Sequence, residues 1–310
     1  MREEQLQLRA PEHFPRPAVT GFGEAYGHHG EFLQGPVAHQ GALVTALVTL
    51  PDPRWRSSTT ASFRPNACNS VNTEPHKPKV IQAVTIALEA LGLEKVHVDL
   101  RFSEQIPVSK GLGSSTADML SALRNVADSQ GTCIDEALLA RICHQVEGAT
   151  DSTMFHRPET ILYASRAPAT LSRIEGRLPA LAIATFDAGE QMGQVETSKV
   201  RFRYEQQHVS YFEKALGHYR RGLRKRDAQF VMKAATMSAS LNQEFLPIPC
   251  WEDTLSVVQK YGLGLQVAHT GTVLGLIADR ASVRDLESAA QELERLTEFM
   301  PTGYMWPGEK

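Results

Sequence analysis

One stretch constrains this chain more than any other: Pro107 to Asp118, PVSKGLGSSTAD. Upstream of it, Val96, Val98, Leu100 and Phe102 alternate as a half-buried strand should; downstream, Ser115 to Ala127 is apolar at helical spacing. The segment must therefore turn a strand into a helix within a few residues. Gly111 and Gly113 let the backbone take positive φ and approach a ligand without a Cβ in the way, and Ser114 and Ser115 stand where the helix begins. First-turn N–H groups lack internal partners and the helix dipole adds positive charge, so an anion is favoured at that point. The same residues also describe an ordinary strand-to-helix connection with serine caps. Neither G-x-x-x-x-G-K-[ST] nor G-x-G-x-x-G occurs.

The rest of the chain sets the class. Its 310 residues allow one large two-lobed domain or two ordinary ones, and no fixed-period repeat points to a solenoid or propeller. A net charge of −3 without a basic half disfavours nucleic acid as a partner, and Arg220, Arg221, Arg224, Lys225 and Arg226 read as a solvated helix end. Gly41 to Leu50, GALVTALVTL, is too short for a membrane helix and reads as a buried strand. The N-terminal MREEQLQLRAPEHFPRP lacks the apolar core of a secretory signal, so no membrane partner and a cytoplasmic location are expected. Cys68, Cys133, Cys143 and Cys250 form no C-x-x-C pair and are expected to be free thiols.

Pro51 to Pro78 carries five prolines and is expected to be a long loop or weak hairpin. Helices are expected over 80–91, 115–127, 134–146, 212–223, 227–241 (with Asp227 as N-cap) and 251–261, with 282–296 closing the chain. Strands are expected over 160–164, 170–174 and 181–186, the last two joined as a hairpin across Glu175-Gly176-Arg177, and over 263–268 and 273–278. Runs of strands and runs of helices make this an α+β chain with antiparallel sheet.

The string from Pro107 to Ala117 resembles the second signature of the GHMP kinases, P-x-x-x-G-L-G-S-S-x-A. GEAYGHHGEFLQG, Gly23 to Gly35, and AHTGTVLGLI, Ala268 to Ile277, resemble that family's first and third signatures. Within the family, these stretches and Ala234 to Pro247 are most similar to the L-threonine kinases of cobalamin biosynthesis. The resemblance implies a two-lobed GHMP kinase fold: an N-terminal lobe like ribosomal protein S5 domain 2 over 1–180, which binds ATP, and a ferredoxin-like C-terminal lobe over 181–310. It also implies ATP-dependent phosphorylation of L-threonine, or a similar hydroxy amino acid, to O-phospho-L-threonine, with ATP and Mg2+ as cofactors.

By the same resemblance, Pro107, Lys110, Gly111, Leu112, Gly113, Ser114, Ser115 and Thr116 would wrap the nucleotide phosphates. Lys110 reads equally as a phosphate partner or a solvated loop lysine. Ser114, Ser115 and Glu147 would hold magnesium, an ion that prefers oxygen ligands. Asp151, four residues beyond Glu147 in VEGATDS, would be a base or an electrostatic orienter at the acceptor, so that Ser114, Glu147 and Asp151 form the catalytic set. Glu31, Gln34 and His29 would face the acceptor, and His269 to Thr272 would form a turn behind the phosphate loop.

This chain departs from the threonine kinases in reading His28-His29 where they have Thr-Cys, Tyr26 where they have proline, and a longer spacing between its two acids. Those changes keep homoserine, mevalonate-like and sugar alcohols open as acceptors, and leave room for a catalytically silent binding protein. The oligomeric state stays open, a homodimer included. Only one of two adjacent strand residues can face a cleft, so the histidine pair is not read as a metal site.

Overall fold

The computed structural model describes residues 19–155, 160–192 and 202–308. The N-terminal segment read above as lacking a signal lies outside the described residues.

Two long strands organise the molecule. β1 (Val19–His39) and β2 (Ala42–Pro65) pair antiparallel from Val19↔Phe63 to His39↔Ala42, turning at Gln40 and Gly41, both at positive φ. The long loop or weak hairpin expected at Pro51–Pro78 is therefore corrected, for most of it belongs to β2 and to a further strand of the main sheet. Register shifts explain how proline fits: Tyr26 faces Arg56 while Gly27 faces Asp52, so Pro53 to Trp55 bulge out of the ladder. A bulge leaves residues unpaired, and there a missing N–H costs nothing. β3 (Ser70–Glu74) follows, running parallel to β4 (Val96–Glu104), which pairs with β2.

Helices α1 (Pro78–Ala90), α2 (Ser114–Ser129) and α3 (Glu136–Glu147) bury Val84, Leu88, Leu120, Leu123 and Ile142 together with Phe63, Val98 and Leu100. β5 (Thr160–Ala164) and β6 (Ala169–Ile174) form a hairpin that joins β2 through Ala46↔Ala164. The hairpin expected between 170–174 and 181–186 does not form. β7 (Leu181–Asp187) pairs instead with β9 (Val273–Asp279) and β10 (Met300–Met305), because its run of six buried residues requires cover on both faces and both edges.

The second half continues with the short α4 (Gly189–Met192), then α5 (Gln206–Lys225), α6 (Ala228–Gln243), α7 (Trp251–Lys260), β8 (Gly264–Val267) and α8 (Val283–Thr297). Asp227 caps α6 by accepting from the Gln229 N–H, as its position predicts. α8 does not close the chain, since β10 follows it to the sheet edge.

The ten-stranded sheet runs β10-β7-β9-β8-β1-β2-β4-β3, with β5 and β6 off the path. Its two halves join at one pair, Glu31↔Val267 between β1 and β8. Phe32, Leu33, Val48 and Leu50, from the hairpin half of β1 and β2, pack against Phe212, Tyr219 and Val231 of α5 and α6. Phe186, Leu265, Val257, Leu286 and Leu293 form a further core under β7, β8 and β9. The irregular middle of β1, where the cores adjoin, carries the polar residues of the site. Among the described residues no helix is long and apolar enough to cross a membrane.

Candidate active site

A cleft of about 690 Å³ opens where the phosphate-loop end of α2, the C-terminal end of α3, the middle of β1 and the β8–β9 turn converge. Gly113 caps α2 in the left-handed conformation at φ 71°, so the chain reverses there and presents Ser114, Ser115 and Thr116 to the cleft. Any Cβ at Gly113 would also run into the His28 ring, 2.5 Å away. The loop is held from behind. The Thr272 N–H donates to the Lys110 carbonyl, and the His28 N–H donates to the Leu112 carbonyl at 3.0 Å.

Lys110 does not reach into the cleft. Its ammonium sits 2.7 Å from Asp187 at the end of β7, and Asp187 also accepts from the Thr272 hydroxyl and the Gly189 N–H. Asp187 is partly buried, which would raise its carboxyl, but Lys110 and Thr272 outweigh burial and hold it below the usual carboxylate range. Lys110 therefore anchors the loop to the second sheet. Leu112 is buried in the core beneath the loop, and Pro107 stands outside the cleft wall.

Across from the loop, Glu147 ends α3. One oxygen accepts from the Thr116 hydroxyl at 3.2 Å and the other lies 2.7 Å from the Lys79 ammonium. Ser114, Ser115, Thr116 and Glu147 line the same wall, a donor set made of oxygen alone, which suits a hard cation such as Mg2+. No group of three or more His, Cys, Asp or Glu side chains that could hold a metal occurs among the described residues. Such an ion would thus complete its shell with phosphate oxygens and water, the usual arrangement for magnesium.

Asp151 lies at the cleft floor, 7% exposed, its Oδ1 accepting from the N–H and hydroxyl of Thr153 and its Oδ2 3.3 Å from His28 Nε2. Burial opposes its charge, yet His28 and Thr153 hold the Asp151 carboxyl below its ordinary range. Burial likewise works against a charged His28, but the Asp151 and Glu31 carboxylates win and raise the imidazole to about 8. Glu31 is pushed up to about 7 by burial, although His28 and the His269 N–H, which donates to it, pull the other way.

The acceptor-side residues divide. Glu31 lines the cleft, as does His269, which stacks on Phe202 with ring centroids 4.3 Å apart. Gln34 lies behind the wall, accepting from His269 Nδ1 and donating to the Val267 carbonyl. His29 points away from the cleft to Gln266, and burial lowers its pKa to about 4. His28 is the histidine that faces the cleft, because the register slips between His28 and Glu31 set its side chain on that side. Lys79, Ser165 and Arg166 also line the cleft; they come from α1 and from the β5–β6 turn, distant stretches with no local pattern to mark them.

A helix start suited to an anion opposite two acidic side chains, in a cleft large enough for a nucleotide, fits the class of nucleotide-dependent small-molecule kinases. Residues 78–156 match the GHMP kinases N terminal domain. The L-threonine kinase of Salmonella typhimurium is 30% identical over 258 residues, 81% of this chain and 80% of that protein. The L-threonine kinase of Citrobacter freundii is 30% identical over 186 residues, 59% of this chain and 63% of that protein. In fold, the chain is similar to the homoserine kinase of Cytophaga hutchinsonii, with a TM-score of 0.66, 14% identity and 97% of both chains covered. It is also similar to the phosphomevalonate kinase of Streptococcus pneumoniae, with a TM-score of 0.61, 11% identity, and 93% and 99% covered. The chain belongs to the GHMP kinases and has their α+β fold.

Proposed function

We propose that the protein transfers the γ-phosphoryl group of ATP to the side-chain hydroxyl of L-threonine, giving O-phospho-L-threonine and ADP. The observation that carries this reading is the identity with L-threonine kinases over most of the chain. The cleft supports it, because each part that phosphoryl transfer needs stands at its wall.

Such a transition state asks for positioning and charge neutralisation more than covalent help. Gly111, Gly113 and the first-turn N–H groups of α2 cradle the phosphates, and the Ser114 and Ser115 hydroxyls add donors. Ser114, Ser115 and Glu147 would hold magnesium, which supplies neutralising charge on the phosphate oxygens when bound. Asp151 accepts a hydrogen bond from the threonine hydroxyl and aims its lone pair at phosphorus. As the new O–P bond forms, the bond to the ADP oxygen breaks, and the hydroxyl proton passes to Asp151 or to water. Glu31 meets the acceptor's ammonium. In this reading the ATP-binding lobe spans 1–180 and the second lobe 181–310, although the β1–β2 hairpin packs into both cores.

ADP release from Mg-ATP, measured with L-threonine, L-serine, L-homoserine, D-threonine and mevalonate, tests the assignment. Selective turnover of L-threonine is expected. Preference for L-homoserine or mevalonate would keep the kinase and overturn the acceptor.

A further inference from the structure

His28 is the cleft residue at which the chain departs from the signature it resembles, which leads one to expect threonine there. The residue is 6% exposed and enclosed on several sides. Nε2 faces Asp151 Oδ2 at 3.3 Å, Nδ1 lies 3.8 Å from Glu31 Oε1, and the ring edge packs against the Gly113 backbone. Its own N–H is tied to Leu112 of the phosphate loop. One imidazole thus touches the phosphate loop and both carboxylates of the acceptor end.

We propose that His28 is a positioning residue for the transfer step: its imidazolium fixes Asp151 against the phosphate loop and offsets the two buried carboxylates that a triphosphate must approach. This rests on the reading of the cleft as a phosphoryl-transfer site, but not on threonine as the acceptor. A neutral side chain of the same size would leave Asp151 with only Thr153, and Asp151 and Glu31 would repel the incoming nucleotide uncompensated. Ionic partners in a poorly solvated site couple strongly, so the pair should titrate as a unit.

The charged groups around His28 have opposed effects. Asp151, from the segment after α3, and Glu31, from β1 itself, both favour the imidazolium. His29 on β1 and His269 on the β8–β9 turn would oppose it if charged, but burial keeps their pKa values at about 4 and about 3. Near neutral pH the Asp151 carboxylate prevails, and Glu31 adds its full charge only above about pH 7.

Two measurements test the proposal, the first independent of turnover. NMR titration of the His28 ring in the purified protein should give a pKa well above that of a free histidine, falling by about one unit or more in Asp151→Asn as the paired charge is lost. A His28 pKa near 6.5 that Asp151→Asn leaves unmoved would overturn the pairing. The second compares His28→Gln and His28→Lys, with thermal melting to confirm folding, on the best acceptor of the wild-type protein. His28→Gln should lower kcat by about 30-fold with KM for ATP within about 3-fold, move the acidic limb of the pH profile upward and abolish the basic limb near pH 8. His28→Lys should restore much of kcat and carry the basic limb higher. Equal impairment of both folded variants with unmoved limbs would reduce His28 to a spacer. Failure of the wild type on every acceptor would instead strike the kinase reading, and the titration would still decide the pairing.

Discussion

Glu147, proposed above to hold magnesium, already has fixed neighbours. It leaves α3 at Gly148, where the chain turns left-handed, and is held between Thr116 and Lys79. Both neighbours would accommodate a cation bound beside them, Thr116 by adding its oxygen and Lys79 by swinging toward phosphate. Glu147→Ala should therefore cut kcat by about 100-fold or more and raise the magnesium concentration needed for half-maximal rate, with melting little changed. Steady-state ADP release across a magnesium series checks this. Ser114 and Glu147 were named through the resemblance of their strings to the family's signatures, and the fold brings both to one wall of the cleft. The choice between His28 and His29 was not legible in the sequence, because it depends on a strand irregularity that only pairing with β2 creates.

At the scale of elements, the site exists because α2 lies directly on β1. Gly23 makes that approach possible: a Cβ there would collide with the Ser121 carbonyl of α2, whose neighbour Asn125 donates to the Gly21 and Thr59 carbonyls. Gly23→Ala should push the helix off the strand and displace the phosphate loop at its start. We expect a stability loss of about 3 kcal/mol or more in denaturant melts, together with a raised KM for ATP. Such close backbone packing explains why a glycine in a strand interior, which costs conformational entropy, is worth keeping. The periodicity of α1, α2, α3, α5, α6, α7 and α8 was readable from one face of each helix. The extent of β2 was not, since its prolines mark a loop, whereas the fold gives Pro53 a bulge opposite Gly27 and keeps Pro51 and Pro65 in the ladder.

For the whole molecule, buried ionisable groups at the junction of the two sheet halves make stability depend on pH. The His28 pKa is raised, so its contribution is complete below about 6.5 and lost as pH rises through about 8. Glu31, also raised, contributes fully below its ordinary value, and that contribution is gone above about 7. His29 and His269 are lowered, so they stabilise above about 6.5 and cease to do so as pH falls toward 4. The melting temperature should peak near pH ~6.5 and fall by a few degrees, on the order of 2 to 4 °C, by pH ~8.5. Above pH ~7 that decline belongs to His28, so circular-dichroism melts of His28→Gln should be flat there.

The sequence by itself determined the α+β class, every helix but the short α4 and the three glycine-bearing strings, because periodicity, capping and turn chemistry act over a few residues. Tertiary structure alone decided which histidine meets Asp151, that Lys110 binds Asp187 rather than reaching into the cleft, and that β7 pairs with β9 and β10 instead of β6. Those outcomes turn on strand register and on charges brought together from residues far apart in the chain, and no local pattern encodes such distances.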